Sequence, residues 1–409
     1  MGKENYFGKQ SLTPIKGVGL VKKILQISNY IYPNIGGIEQ VARDIANALS
    51  ADGNYEQKII CFNETAKDGD YICHRNETVH DVVDGVEVIR CGCITKKASQ
   101  SISLTFPGEL KKVMDDFDPD IVIFHYPNPF QAQFLQRYFK RNFKFVLYWH
   151  LDIVKQKVLG KLFYGQTLRL LDRADVVVAT SPLYIEGSPF LSRYKNKCQV
   201  IPNCISENRM VVTDDIEQKA KRIRANNKNK IICFGIGRHI PYKGFTCLVE
   251  ASKYLDGRFI IYIGGRGELT EQLRVQAAGD NKIVFLGRIS DEDLIAYYLA
   301  MDIFCFPSIT KNEAFGIALA EGMFFGKPAV TFHIPGSGVN YVNLKDVTGL
   351  EVPNGDSQAY AEAIKLLADN AALRKRMGSE AKCRVGKLFM THSFRTNILN
   401  VIHKIIRLS

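Results

Sequence analysis

The 409-residue sequence has no apolar run near the ~20 residues that cross a bilayer, so no membrane-spanning helix is expected. Its ten cysteines contain no CxxC pair, which argues against a zinc ribbon or a dithiol redox centre. Several, including Cys61, Cys233 and Cys305, fall inside apolar runs and read as reduced core thiols of a cytoplasmic protein. No GxGxxG follows the first strand-like run, so an NAD-type oxidoreductase lacks its fingerprint. The DxD-like strings, Asp116-Phe117-Asp118 and Asp118-Pro119-Asp120, precede a strand instead of ending one and read as a solvated turn, not a metal site. Met1 to Gly19 is polar and glycine-rich without an apolar centre, so no secretory leader is expected.

What is present suits two α/β domains of about 200 residues each. The formal charge of +12 asks for an anionic partner: nucleotide, nucleic acid or acidic lipid. Between Arg137 and Arg173 there are nine Lys or Arg against Asp152 and Asp172. There Val154, Val158, Leu162 and Phe163 interleave with the charge, a pattern shared by a helix lying on an anionic membrane and by an ordinary surface helix. A non-catalytic basic module for nucleotide or nucleic acid is the rival reading of this charge. The basic residues form no recognition motif, however, and clustered carboxylates downstream would repel a phosphate backbone.

Those carboxylates sit in Lys311 to Phe332, KNEAFGIALAEGMFFGKPAVTF. Ile317, Leu319, Ala320, Met323 and Phe324 have helical spacing, and Gly326-Lys327-Pro328 stops the helix. Its N-terminus falls near Phe315-Gly316, where unpaired amides and the positive end of the dipole suit a phosphate. Glu313 stands just before that terminus and Glu321 a little over two turns along, so both can face one crevice. Upstream, GRHIPYKG places Arg238, a planar fork for phosphate oxygens, near Lys243, a point charge. The first βα unit carries a Gly36-Gly37 loop beside Glu39, and two buried strands end in His125 and His150. His125 reads as a structural residue bonded to a loop.

EAFGIALAE followed by GKPAV, with GRHIPYKG, GGRG and WHLD in the same order, resembles the retaining glycosyltransferases of family 4. The resemblance covers nearly all of the chain from about Val21. It implies the GT-B fold: an acceptor-binding Rossmann-like domain over 1–205, a nucleotide-sugar-binding one over 206–388, and a C-terminal helix over 389–409 returning to the first. By resemblance, Glu313 contacts donor-sugar hydroxyls, Glu321 holds the ribose, and amides of Phe315, Gly316, Ile317 and Ala318 serve sugar and phosphates. Arg238 and Lys243 hold the diphosphate, Gly36 and Gly37 close over it, Gly265 lies near the nucleotide, Arg288 near the base, and His150 bonds the donor sugar. The wording GSGVNYVN is similar to that of bacterial surface-polysaccharide mannosyltransferases, which implies GDP-mannose as donor. The expectation is then transfer of a hexose to a glycan or polyprenyl-diphosphate-linked acceptor, without metal or other cofactor. The enzyme would be cytoplasmic, with the basic segment 137–173 as its seat on the inner face of the membrane and no nucleic acid partner.

Overall fold

A computed structural model describes residues 21–34, 36–64, 71–97, 100–153 and 157–407, without the side chains of 97 and 157–162. Within them the apolar runs become strands of two separate sheets. The first is built from β1 (Lys22–Ile27), β2 (Tyr55–Phe62), β3 (Val79–Val83) and β4 (Val86–Cys91). After a small hairpin of β5 (Thr95–Lys97) and β6 (Gln100–Ile102), it continues with β7 (Ile121–Tyr126), β8 (Lys144–Trp149), β9 (Val176–Ala179) and β10 (Cys198–Val200). Their order is β10-β9-β8-β7-β1-β2-β4-β3, parallel except for β3.

Period-two alternation decides what each strand buries. Leu25, Ile27, Val122, Phe124, Phe145 and Leu147 face one core. Ile24, Ile121, Ile123, Val146 and Tyr148 face another, under the helix Gly37–Asp52. Helices therefore cover both faces, as a parallel sheet requires.

The second sheet holds β11 (Ile231–Ile236), β12 (Phe259–Gly264), β13 (Ile283–Gly287), β14 (Ile303–Phe306), β15 (Ala329–Phe332) and β16 (Gly349–Val352), all parallel in the order β13-β12-β11-β14-β15-β16. Both sheets thus reverse direction in mid-sheet, the first between β1 and β7, the second between β11 and β14. Such a switch point opens a crevice at the carboxyl ends of the strands, where doubly wound sheets take ligands.

The chain passes between the halves twice, at neighbouring places. Ile205 N donates to Phe389 O at 2.8 Å, and Thr391 Oγ1 donates to Ile205 O at 3.2 Å. The helix Thr391–Arg407 then returns to the first sheet. It buries Phe394, Ile398, Val401, Ile402 and Ile405 there, a helical stripe contributing about 1.5–3 kcal/mol per fully buried side chain. The returning helix is therefore part of the first core, as the GT-B reading requires.

Within the glycine-rich residues 334–356, Val339–Val342 is a helical turn and Gly349–Val352 joins the sheet. The basic helix runs Lys157–Arg173, but Val154, Val158 and Leu162 lie outside the described side chains. Described cations of the basic segment 137–173 are partly engaged at home: Arg141 with Asp115, Arg169 with Gln136, and Arg173 with Asp175 and the carbonyls of Phe139 and Phe143.

Candidate functional site

Three glycine turns line the carboxyl ends of β11, β12 and β13. Gly237 N donates to Gly264 O at 3.2 Å, and Gly265 N to Gly287 O at 2.7 Å. Gly265 has φ +107°, and a Cβ there would fall inside the carbonyl of Gly237. Glycine is required because the turns lie backbone on backbone. That stacking leaves Arg238 and Arg288 at the exposed rim.

At the switch point itself, Lys243 forms an ion pair with Glu313, whose Oε2 also accepts from Ser308 Oγ at 3.1 Å. The ammonium lies 5.3 Å from the Phe306 ring centre, and Glu313 is nine-tenths buried. Arg238 reaches Tyr242 OH at 3.3 Å, just beside Lys243. Glu313 is fixed by its main chain as well, since Ser337 Oγ donates to its carbonyl oxygen.

Immediately after Glu313 the helix Ile317–Phe324 begins at Gly316, whose φ of +94° again favours glycine. The first amides of this helix lack intrahelical partners and point outward. The Phe315 ring is core, packed edge-on to Phe389 at 5.3 Å, so only its backbone can serve a ligand. Glu321 is also buried: Tyr298 OH donates to it at 3.0 Å, and Arg209 Nη1 stands 3.8 Å away. Burial raises its pKa, opposed by Arg209 and then Tyr298.

The first half faces these groups. A Cβ on Gly37 would stand 3.9 Å from Ile317 Cδ1, so the helices starting at 37 and 317 present their N-termini across one cleft. The Glu39 carboxylate folds back over Gly36, where a Cβ would collide with it. Burial raises the Glu39 pKa, while its own backbone, Arg238 and Lys96 lower it.

Past the end of β8, His150 is almost enclosed, and its Nε2 meets Nδ1 of His125 at 2.9 Å. His125 is structural, as expected, its partners being the His150 ring in the loop just past β8 and the Gln26 side chain on β1. The loop after His150 is braced to the other half. Asp152 pairs with Lys311 at 2.9 Å and also accepts from Trp149 Nε1 and Ser188 Oγ. Thr180 Oγ1 donates to Ala314 O at 3.0 Å.

Arg209, Tyr298, Ser308, Asp152 and Lys311 were not singled out in the sequence. A conspicuous local signal marks none of them, because each acquires its partner only through the fold. Among the described residues no group of three or more His, Cys, Asp or Glu is placed to hold a metal ion, and no helix is long and apolar enough to cross a membrane.

Residues 35–209 match the model of Glycosyltransferase Family 4, and residues 215–384 match Glycosyl transferases group 1. The O-antigen chain mannosyltransferase C of Escherichia coli is 30% identical over 373 residues, 90% of this chain and 94% of that one. The chain belongs to the family 4 glycosyltransferases. A further relative of this glycosyltransferase is the D-rhamnosyltransferase WbpZ of Pseudomonas aeruginosa, 32% identical over 73% of this chain and 78% of that one. Among solved structures, sucrose-phosphate synthase from Thermosynechococcus elongatus aligns with a TM-score of 0.74 at 19% identity, covering 95% of this chain and 100% of that one. Anabaena HepE in complex with UDP-glucose aligns at 0.72 and 17%, covering 93% and 99%. These likenesses establish the GT-B fold.

Proposed function

We propose that this glycosyltransferase moves a hexose, mannose first among candidates, from a nucleoside-diphosphate donor to a hydroxyl of a glycan carried on a polyprenyl diphosphate, with retention at the anomeric carbon. The observation that carries the reading is the Lys243–Glu313 pair at the second switch point, seated against a helix N-terminus and facing the Gly36-Gly37 turn. A diphosphate arriving there meets Arg238, Lys243 and the outward amides. Glu313, released from Lys243, is free to accept from sugar hydroxyls. Glu321 serves the ribose, with Arg209 and Tyr298 holding its carboxylate.

In the transfer, the bond between the anomeric carbon and the leaving phosphate oxygen breaks, and its electron pair goes to the diphosphate. The acceptor oxygen bonds to the same face of that carbon, and its proton passes to the leaving phosphate. The main electrostatic task is to stabilise the departing charge, and two fixed cations with a helix terminus suit it without a divalent ion. GDP-mannose as donor is supported by the similarity to a mannosyltransferase. The basic segment 137–173 is the proposed seat on an anionic membrane, beside the loop that carries His150.

The test is incubation with GDP-, UDP- and dTDP-sugars and polyprenyl-linked acceptors in EDTA, with the product anomer read by NMR. Transfer from GDP-mannose with the α configuration kept is the expected result. A β product, or a strict need for a divalent ion, would overturn the mechanism, and failure to consume any donor would overturn the reading itself.

A further inference from the structure

Behind the cleft wall three buried polar side chains form a line across three adjacent strands. Gln26 on β1 and His125 on β7 are 1% and 0% exposed, and His150 past β8 is 5% exposed. Gln26 Oε1 meets His125 Nε2 at 3.1 Å, and His125 Nδ1 meets His150 Nε2 at 2.9 Å. The two imidazoles lie nearly parallel, 12° apart with centres at 5.2 Å, and the Tyr148 ring stacks beside both. Packing on this scale fixes ring orientation, so hydrogen-bond direction is the freedom that remains.

That direction follows from one atom. The Gln26 amide presents Oε1 to His125, its Nε2 being buried without a hydrogen-bond partner among the described residues, and an oxygen so placed only accepts, so His125 Nε2 carries the hydrogen. A neutral imidazole has one N–H, so His125 Nδ1 is bare and accepts from His150 Nε2–H. His150 Nδ1 is then bare as well, and it makes no hydrogen bond among the described residues. This direction requires a neutral His125, and the bare Nδ1 a neutral His150, and burial enforces both. It pushes the His125 pKa down to about 3, and it lowers that of His150 strongly, with His125 adding to the effect. Asp152, the nearest carboxylate in sequence, is engaged by Trp149, Ser188 and Lys311 and leaves His150 alone.

We propose that Gln26 and His125 are positioning residues that hold His150 as its Nε2–H tautomer, so that its Nδ1 lone pair accepts a hydrogen bond from a hydroxyl of the transferred sugar. The tautomer follows from the buried line alone, whereas its use on a sugar rests on the function proposed above. The wall is thereby selective for a group that donates. A deoxy or ether-blocked sugar at that position offers nothing to the lone pair.

Imidazole 15N spectroscopy of the full-length protein reads the tautomers directly, whether or not a sugar is transferred. The expected result is a protonated, pyrrole-type Nε2 and a bare, pyridine-type Nδ1 on both His125 and His150, unchanged between about pH 5.5 and 8 although a free imidazole titrates there. A protonated Nδ1 on His150 would overturn the proposal. The second arm is Gln26→Leu, an apolar replacement of similar size. It is expected to mix the His150 tautomers and lower kcat/KM for the sugar donor about threefold to tenfold, while affinity for the sugar-free nucleoside diphosphate stays unchanged. Equal losses for both ligands, or unchanged donor kinetics, would refute the positioning role. Absence of transfer from every donor, with the tautomers as stated, would instead count against the proposed function alone.

Discussion

The two sheets share one winding, with a switch point beside the first strand of each, yet their carboxyl edges carry opposite chemistry. The second edge is glycine turns with cations: Gly237, Gly265 and Gly287 bring backbones together, and Arg238, Lys243 and Arg288 project from them. The first edge is an enclosed polar wall in which Gln26, His125 and His150 are joined in one uncharged line. The difference teaches that one winding can carry two kinds of edge: the second half presents fixed charge, the first a neutral, directional line of hydrogen bonds. On the proposed chemistry, diphosphate affinity lives in the second half and sugar discrimination in the first.

The most severe break of that division is Lys243→Ala. It removes a cation from the proposed leaving group and leaves Glu313 buried without it, so kcat/KM is expected to fall about 10³-fold. Steady-state kinetics checks this, with circular dichroism to show an intact fold. His150→Phe should cost less, about 10²-fold in kcat/KM, with nucleoside diphosphate affinity retained. A parallel loss of nucleotide affinity would merge the two edges into one function.

Gly265→Ala tests the scaffold instead of the charges. With φ at +107° and a backbone carbonyl where Cβ would lie, about 2 kcal/mol or more of stability should be lost, read by denaturant unfolding. The smallest effect concerns the junction. Asp44, on the helix Gly37–Asp52, is held by Gln40 Nε2 at 2.8 Å and Cys204 Sγ at 3.5 Å, and burial pushes its pKa up to about 6. The folded state therefore binds more protons than the unfolded one between about pH 4 and 6, so stability falls as pH rises through that window. Asp44→Asn removes the ionisation, flattens that limb, and should gain about 1–2 kcal/mol at neutral pH.

The second half was more legible in sequence than the first, for a physical reason. Its helix N-terminus at Gly316, its stop at Gly326 and its GRHIPYKG cations are local, so spacing alone locates them. The first half works through pairs far apart in the chain: Gln26 with His125 at a separation of 99 residues, Asp152 with Lys311 at 159. No window of sequence contains such a pair, which is why Gln26 as the partner of His125 and Lys311 as the partner of Asp152 went unremarked. GSGVNYVN was legible as family wording, but the fold gives it another task. Ser337 fixes the Glu313 carbonyl, Asn340 holds Phe332 O and Glu351, and Asn343 holds Thr331. Those residues shape the loop under Glu313, so their support for mannose runs through family likeness and not through contact.

Isothermal titration of GDP into the wild type, Lys243→Ala and His150→Phe, each at low and high salt, tests the division between the two edges most directly. The account predicts affinity that weakens with salt, collapses in Lys243→Ala and is kept in His150→Phe. Affinity indifferent to Lys243 but lost with His150 would place the anion on the wrong wall and contradict it.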